Sequence, residues 1–280
     1  MKGNICFLYT ITQVHAGKGF DSGVVDLPIQ REISTGFPVI SGIKGALRNE
    51  IKWPDDTEKN IFGAAPKSKE DISGSIAFSE AKIFLFPLRS IEKVFVWITC
   101  PLVLSRLSTA FKLTGNEEIP QLIEAILGKY KENKEYSSFD SSSLNIEEYT
   151  ITTEFMEELN KLIKKLSAIS PETYLKDKME NNVVLLSDKD FTFFMKNATE
   201  VMARIRINKD TGTADKRALW YEEYLPQDSV MYFITKELTN NNCSKTFEDT
   251  ADKMFLNLGG KASIGKGFVY LKIYKESTHA

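Results

Sequence analysis

A chain of 280 residues, 42% hydrophobic and 26% charged, is long and apolar enough to bury a core without staples. Its three cysteines, Cys6, Cys100 and Cys243, form no CxxC, and with two histidines, His15 and His279, they nearly exclude a structural zinc site and favour a reducing, cytoplasmic compartment. A formal charge of -2 argues against a uniformly basic nucleic-acid binder, although such binding answers to a local patch and not to the sum.

The opening residues run straight into a strand pattern over 3–14, carried by Ile5, Phe7, Tyr9 and Ile11, with no signal-peptide core ahead of it. No apolar run approaches the ~20 residues of a membrane span. A glycine-rich loop follows, holding His15, Gly17, Gly19, Asp26, Pro28, Gly36 and Pro38. Ser41 is placed to cap a helix running to about Trp53 and stopped by Pro54, with Lys44, Arg48 and Lys52 four apart on one face. Residues 54–73 read as a polar loop. The apolar and aromatic runs Ile83–Phe86 and Val94–Trp97 predict central strands over 75–88 and 94–100. Pro101 then opens a helix to about Leu113, which Gly115 ends.

This β-α-β-β-α order is one strand short of a ferredoxin-like unit, and 268–274 supplies the missing strand. The intervening insertion predicts helices over 117–130, 155–166 and 187–197, a short strand at 183–186, and a mobile polar loop at 131–150. From 201 the chain alternates: Val201, Ala203, Ile205 and Ile207 oppose Met202, Arg204 and Arg206. A polar tip at 208–213 and the segment Leu219–Tyr224 complete a long hairpin with an arginine-bearing face.

Residues 258–268 hold Gly259, Gly260, Gly265 and Gly267 with Lys261 and Lys266, and Lys272 follows. Gly260 to Lys266 fits GxxxxGK, but Gly267 stands where a magnesium-binding hydroxyl belongs, and too little chain remains for a nucleotide fold. A strained turn explains the glycines; a phosphate cradle explains the lysines as well, and the basic helix at 44–52 tips the balance towards it. Asp26 is either a turn residue bonding its own backbone or a carboxylate held near a scissile bond.

The runs Val25–Glu32, Thr35–Ile40 and Lys44–Arg48, with Arg204–Ile207, Leu219–Pro226 and the terminal glycine loop, resemble the RAMP superfamily of CRISPR-associated RNA-binding proteins. Within it they are similar to the backbone subunits of type III-B Cmr effector complexes. The resemblance implies an α+β, modified ferredoxin-like (RRM-like) antiparallel sheet with a helical insertion and a protruding β-hairpin thumb. It divides a single domain, 1–280, into a palm of 1–114 and 257–276, an insertion of 115–200 and a thumb region of 201–240. It further implies self-association along a CRISPR guide RNA with other Cmr subunits, and a complementary target RNA cut once per subunit.

Asp26 matches the family's loop acid, as metal ligand, general base or positioning group, with Mg2+ or Mn2+ as the implied ion. His15, Glu222 and Tyr224 match positions that contribute to the site, and Tyr224 is a candidate to stack on a base. Lys44, Arg48, Lys261 and Lys266 are the expected phosphate contacts, Gly259, Gly260, Gly265 and Gly267 the expected cradle, and Arg204 and Arg206 the expected thumb contacts. The alternatives are a guide-binding subunit that does not cut, a RAMP endonuclease that matures precursor guides, and a small-molecule enzyme on the same fold.

Overall fold

The computed structural model describes residues 3–54, 56–64, 72–239 and 242–276, with Lys216 and Arg217 described by backbone alone. His279 and part of the polar segment at 54–73 lie outside the described residues. In chain order the elements are β1 (Gly3–Thr10), β2 (Val39–Ile40), α1 (Ile43–Glu50), α2 (Thr57–Phe62), β3 (Ile76–Phe78), β4 (Ala81–Ser90), β5 (Val94–Thr99), α3 (Pro101–Thr114) and α4 (Glu118–Lys129). Next come β6 (Glu135–Ser137), β7 (Leu144–Ile146), β8 (Tyr149–Ile151), β9 (Thr153–Phe155), α5 (Glu157–Leu166), α6 (Thr173–Glu180), β10 (Val183–Leu185) and α7 (Asp188–Asn197). The chain closes with β11 (Glu200–Ile207), β12 (Ala214–Tyr224), β13 (Val230–Glu237), α8 (Cys243–Ala251), β14 (Phe255–Asn257) and β15 (Phe268–Ile273).

One large sheet runs in the order β14-β15-β1-β13-β4-β5-β10-β6-β9. Its pairs are antiparallel except β5 with β10 and β6 with β9. Phe7 of β1 meets Phe111 of α3 on one face, and the other face lies under α1 and α8, so β1 is buried on both sides. The fold is therefore mixed α+β, built on a central sheet with helices against it. No described helix is long and apolar enough to cross a membrane.

Several expectations change. β13, which no alternation predicts, lies between β1 and β4 and is antiparallel to both, with a register shift against β4 at Val230. β13, and not β5, is therefore the strand beside β1, and β15 lies on the other flank of β1, giving the order β15-β1-β13-β4. The run Val230–Ile234 lacks alternation because both faces are covered, so periodicity does not mark it as a strand. The strand expected at 75–88 breaks at Ser79, whose hydroxyl accepts the Ile234 N–H at 2.9 Å. Within 54–73 the chain forms α2 instead of continuous loop.

The segment 131–150, expected to be a mobile loop, contains β6, β7 and the start of β8, with Tyr136, Ser137, Ser138, Phe139, Leu144 and Ile146 buried. Its buried serines find backbone acceptors, one local and one distant, and so satisfy the polarity that suggested a solvated loop. Ser137 donates to the Phe139 carbonyl at 2.6 Å, and Ser138 to that of Glu180 at 3.1 Å. Ser41 does not cap α1. Gly42 holds that position, and the Ser41 N–H and hydroxyl both donate to Gln30 Oε1, at 3.0 and 2.8 Å. α3 follows expectation, with Pro101 in its first turn and Gly115 left-handed just past its end. β11 and β12 form a separate two-stranded sheet, with Val201, Ile205, Ile207 and Leu219 half-exposed on one face.

Candidate active site and nucleic-acid interface

Chain ends more than two hundred residues apart meet just beyond β1. Val14 pairs with Leu225 after the hairpin, while Gly260 N–H donates to the His15 carbonyl at 2.9 Å and Gly267 N–H to that of Gln13 at 2.8 Å. This approach requires glycine. A Cβ on Gly259, whose φ is +79°, would stand 2.4 Å from the His15 carbonyl oxygen. The N–H groups of Gly260, Gly265 and Gly267 are all spent inside the protein, the second on the Ala262 carbonyl. Close backbone approach therefore accounts for Gly259 and Gly267, and a positive φ for Gly265, without a ligand.

The loop carrying Asp26 lies along β12 like an added strand. Leu27 N–H donates to the Tyr221 carbonyl and Glu223 N–H to that of Leu27, each at 3.0 Å, while Tyr221 N–H donates to Asp26 Oδ2 at 2.8 Å. The Asp26 carboxylate is half-buried, and this is its one side-chain bond among the described residues.

Successive residues of β12 point to opposite sides and tie different segments together. Glu222 receives Lys261 Nζ at 2.5 Å, Trp220 Nε1 at 2.8 Å, Arg204 Nε at 3.3 Å and the Tyr224 hydroxyl. Burial pushes the Glu222 carboxyl up, but the bonds from Lys261, Tyr224 and Trp220 and the Lys261 charge outweigh it and hold the group down at about 2. Burial, then the bond to Glu222, raise the Tyr224 phenol, with Arg204 opposing. Glu223 accepts from Arg31 at 2.5 Å, Thr199 at 2.6 Å and the Ile29 N–H at 3.0 Å.

His15 Nδ1 lies 2.8 Å from the Glu223 carbonyl, which can only accept, so Nδ1 is the donor of this bond. The ring packs against Tyr224, with centroids 5.5 Å apart.

The four residues expected at the chemistry thus converge but differ in access. Glu222 is 1%, Tyr224 0% and His15 7% exposed, so Tyr224 cannot stack on a base and Glu222 serves as the anchor of Lys261. Sequence reasoning missed Glu223, Arg31 and Gln30. The only signal available was strand alternation, which sets Glu223 on the face opposite Glu222.

The expected cations also divide. Lys44 is exposed in the first turn of α1, and that turn is tethered to the site through Gln30, which bonds the backbone of Ala16 and Gly17. Arg48 is engaged internally, by Glu58 at 2.7 Å and by the carbonyls of Gly63 and Ala64. Lys261 is paired with Glu222, and Lys272 with Asp252 at 3.0 Å. Lys266 binds the neutral Gln13 and sits 5.1 Å from the Tyr224 ring centroid. Arg206 is exposed on the hairpin, and Arg204 reaches back to Glu222 and Tyr224.

No group of three or more potential ligating side chains capable of holding a metal occurs among the described residues. With Glu222 and Glu223 both bonded to cations, the junction does not form a resident metal site. It offers one carboxylate, Asp26.

The chain belongs to the RAMP superfamily, whose model matches residues 7–270. Within that superfamily it falls with the Cmr4 proteins. It is 35% identical, over 299 aligned positions spanning 100% of this chain and 98% of the relative, to the CRISPR system Cmr endoribonuclease Cmr4 of Pyrococcus furiosus. The crystal structure of oligomeric Cmr4 from Pyrococcus furiosus superposes with a TM-score of 0.75 at 25% identity, covering 99% of this chain and 100% of that one. A chain in the cryo-EM structure of type III-B Cmr-beta bound to cognate target RNA shares the fold, with a TM-score of 0.80 at 24% identity, covering 98% and 97%.

Proposed function

We propose that this protein is a guide-RNA-binding backbone subunit of a type III-B Cmr effector complex, acting in the cytoplasm, and that it cuts guide-bound target RNA beside Asp26. Copies of the chain associate along the guide with other Cmr subunits, and the β11–β12 hairpin is the thumb that enters the guide–target duplex. The assignment to the Cmr4 proteins supports the RNA partner and the assembly. One observation carries the chemistry. Asp26 is a half-exposed carboxylate on the loop beside β12, held through Oδ2 by the Tyr221 N–H, whereas Glu222 and Glu223 are buried and bonded to cations.

In the proposed reaction a ribose 2′-oxygen attacks the adjacent phosphorus, the bond to the 5′-oxygen breaks, and the products are a 2′,3′-cyclic phosphate and a 5′-hydroxyl. The 2′-hydroxyl proton leaves during attack, and the departing 5′-oxygen takes up a proton. Asp26 receives the first proton or orients the hydroxyl that loses it. Mg2+ or Mn2+ carried on RNA phosphates would have Asp26 as its protein ligand and would neutralise developing charge. His15 is held by Glu223 and by Tyr224, so its part is to fix the floor of the site. The test is an assembled complex bearing Asp26→Asn. Guide and target remain bound and cutting is lost; undiminished cutting refutes the assignment and leaves a subunit that binds without cleaving.

A further inference from the structure

Glu223 is the residue through which the Asp26 loop, the hairpin and the N-terminal strand are locked together. It is 6% exposed, and both carboxylate oxygens are engaged. Oε2 accepts the Ile29 N–H, three residues beyond Asp26, at 3.0 Å. Oε1 accepts Arg31 at 2.5 Å and Thr199 at 2.6 Å. Arg31 carries the clamp further, donating to the carbonyls of Gly36 and Met195 at 2.7 Å each. The Glu223 backbone is equally committed: its N–H holds the Leu27 carbonyl and its carbonyl holds His15 Nδ1.

The side chain therefore reaches the Asp26 loop at residues 29 and 31 while its peptide groups fix residues 27 and 15. Among the described residues Asp26 itself makes one side-chain bond, to the N–H of Tyr221, two residues before Glu223 on β12. With so few contacts of its own, its position relative to a bound strand is set by the register of 27–31 on β12. A carboxylate displaced by about 1 Å from its reacting atoms loses up to about a hundredfold in rate, whereas RNA affinity is spread over many contacts and does not.

We infer that Glu223, with Arg31 and Thr199, is a positioning residue for the cleavage reaction. It acts by holding the Asp26 loop in register on β12 and does not touch RNA. The inference rests on the cleavage role proposed for Asp26.

The experiment compares assembled complexes carrying wild-type chain, Asp26→Asn, Glu223→Gln and Thr199→Val. Each is matched for guide content and assayed for target affinity and for single-turnover cutting at saturating target. Glu223→Gln keeps the shape but loses the charge that holds Arg31. It is expected to lower the cutting rate by about tenfold or more, with target affinity within about twofold of wild type. Thr199→Val removes one bond to Glu223, leaves the ion pair in place and is expected to slow cutting by about threefold. If Glu223→Gln does not assemble, Thr199→Val decides by the same criterion. Wild-type rates in the variants that assemble overturn the inference, and so does a loss of affinity equal to the loss of rate, the pattern of a merely structural residue. A failure of the cleavage proposal looks different: Asp26→Asn then cuts as fast as wild type.

Discussion

Replacing Lys261 by Met removes the closest cation from a carboxylate that is almost wholly enclosed, with Nζ 2.5 Å from Glu222 Oε1. The Glu222 carboxyl sits at about 2 against an ordinary 4.5, a difference worth at most about 3 kcal/mol at neutral pH. Trp220, Tyr224 and Arg204 share that stabilisation, and the Lys261 side chain is partly open to solvent, so the substitution should cost about 2 kcal/mol. Urea unfolding of the purified chain measures it. Adding Glu222→Gln to Lys261→Met should recover part of the loss, because the stranded charge is gone, giving a coupling of at least about 1 kcal/mol. The sign with pH is set by the lowered carboxyl. Its stabilisation is present above the unfolded value of 4.5 and is lost as pH falls towards 2, so the cost of Lys261→Met should drop by roughly half at pH 3.5. Single substitutions that add to within about 0.3 kcal/mol, or a cost independent of pH, would refute the view of Glu222 as an anchor.

The glycines of the C-terminal loop should differ in tolerance. Gly259→Ala is both strained and in collision with the His15 carbonyl, and should cost about 2–3 kcal/mol by thermal unfolding; Gly265→Ala, equally left-handed but facing open space, should cost about 1 kcal/mol. Arg48→Ala should lower stability by about 1–2 kcal/mol through loss of its bonds to Glu58, Gly63 and Ala64, while Lys44→Ala leaves stability within about 0.5 kcal/mol and weakens guide binding. Lys44 is exposed and Lys266 is bonded to the neutral Gln13, so replacing both by Ala should flatten the dependence of log affinity on log salt by roughly 1.4 per subunit. Chelation of divalent ions should stop cutting while guide and target stay bound, and calorimetry of the chain without RNA should show no tight Mg2+ or Mn2+ site.

Elements whose signals are local were legible. Pro101 and Gly115 bracket α3 because fixed φ at one end and positive φ at the other are properties of single residues. The hairpin was legible because alternation survives where one face is open. β13 was not, since burial on both faces erases the period that would have revealed it. At the site, Asp26, His15 and Glu222 were reached through family resemblance; nothing in their spacing says that residues 26 and 221 touch. Arg31 and Glu223 were missed for the same reason. An ion pair across 192 residues leaves no periodic trace, and the arginine gave no sign of being buried against a partner.

The distribution of charge explains how a chain with a formal charge of -2 can meet a polyanion, and why one acid stands out. Lys261 and Arg31 are consumed by Glu222 and Glu223, so these two carboxylates neither repel a phosphate nor leave their cations free to attract one. Asp21 is paired with Lys18 at 2.5 Å. Asp26 has a backbone N–H and, among the described residues, no ion pair, and an approaching phosphodiester meets it as a like charge. In water that repulsion is about 0.7 kcal/mol at 6 Å, rising to about 3 kcal/mol at the lower effective dielectric near a protein surface. A purely guide-holding surface gains nothing from such a group, since Asn would bond Tyr221 N–H as well without the repulsion. The carboxylate makes physical sense where its charge acts on the RNA itself, by taking a proton or holding a cation that arrives with the phosphates.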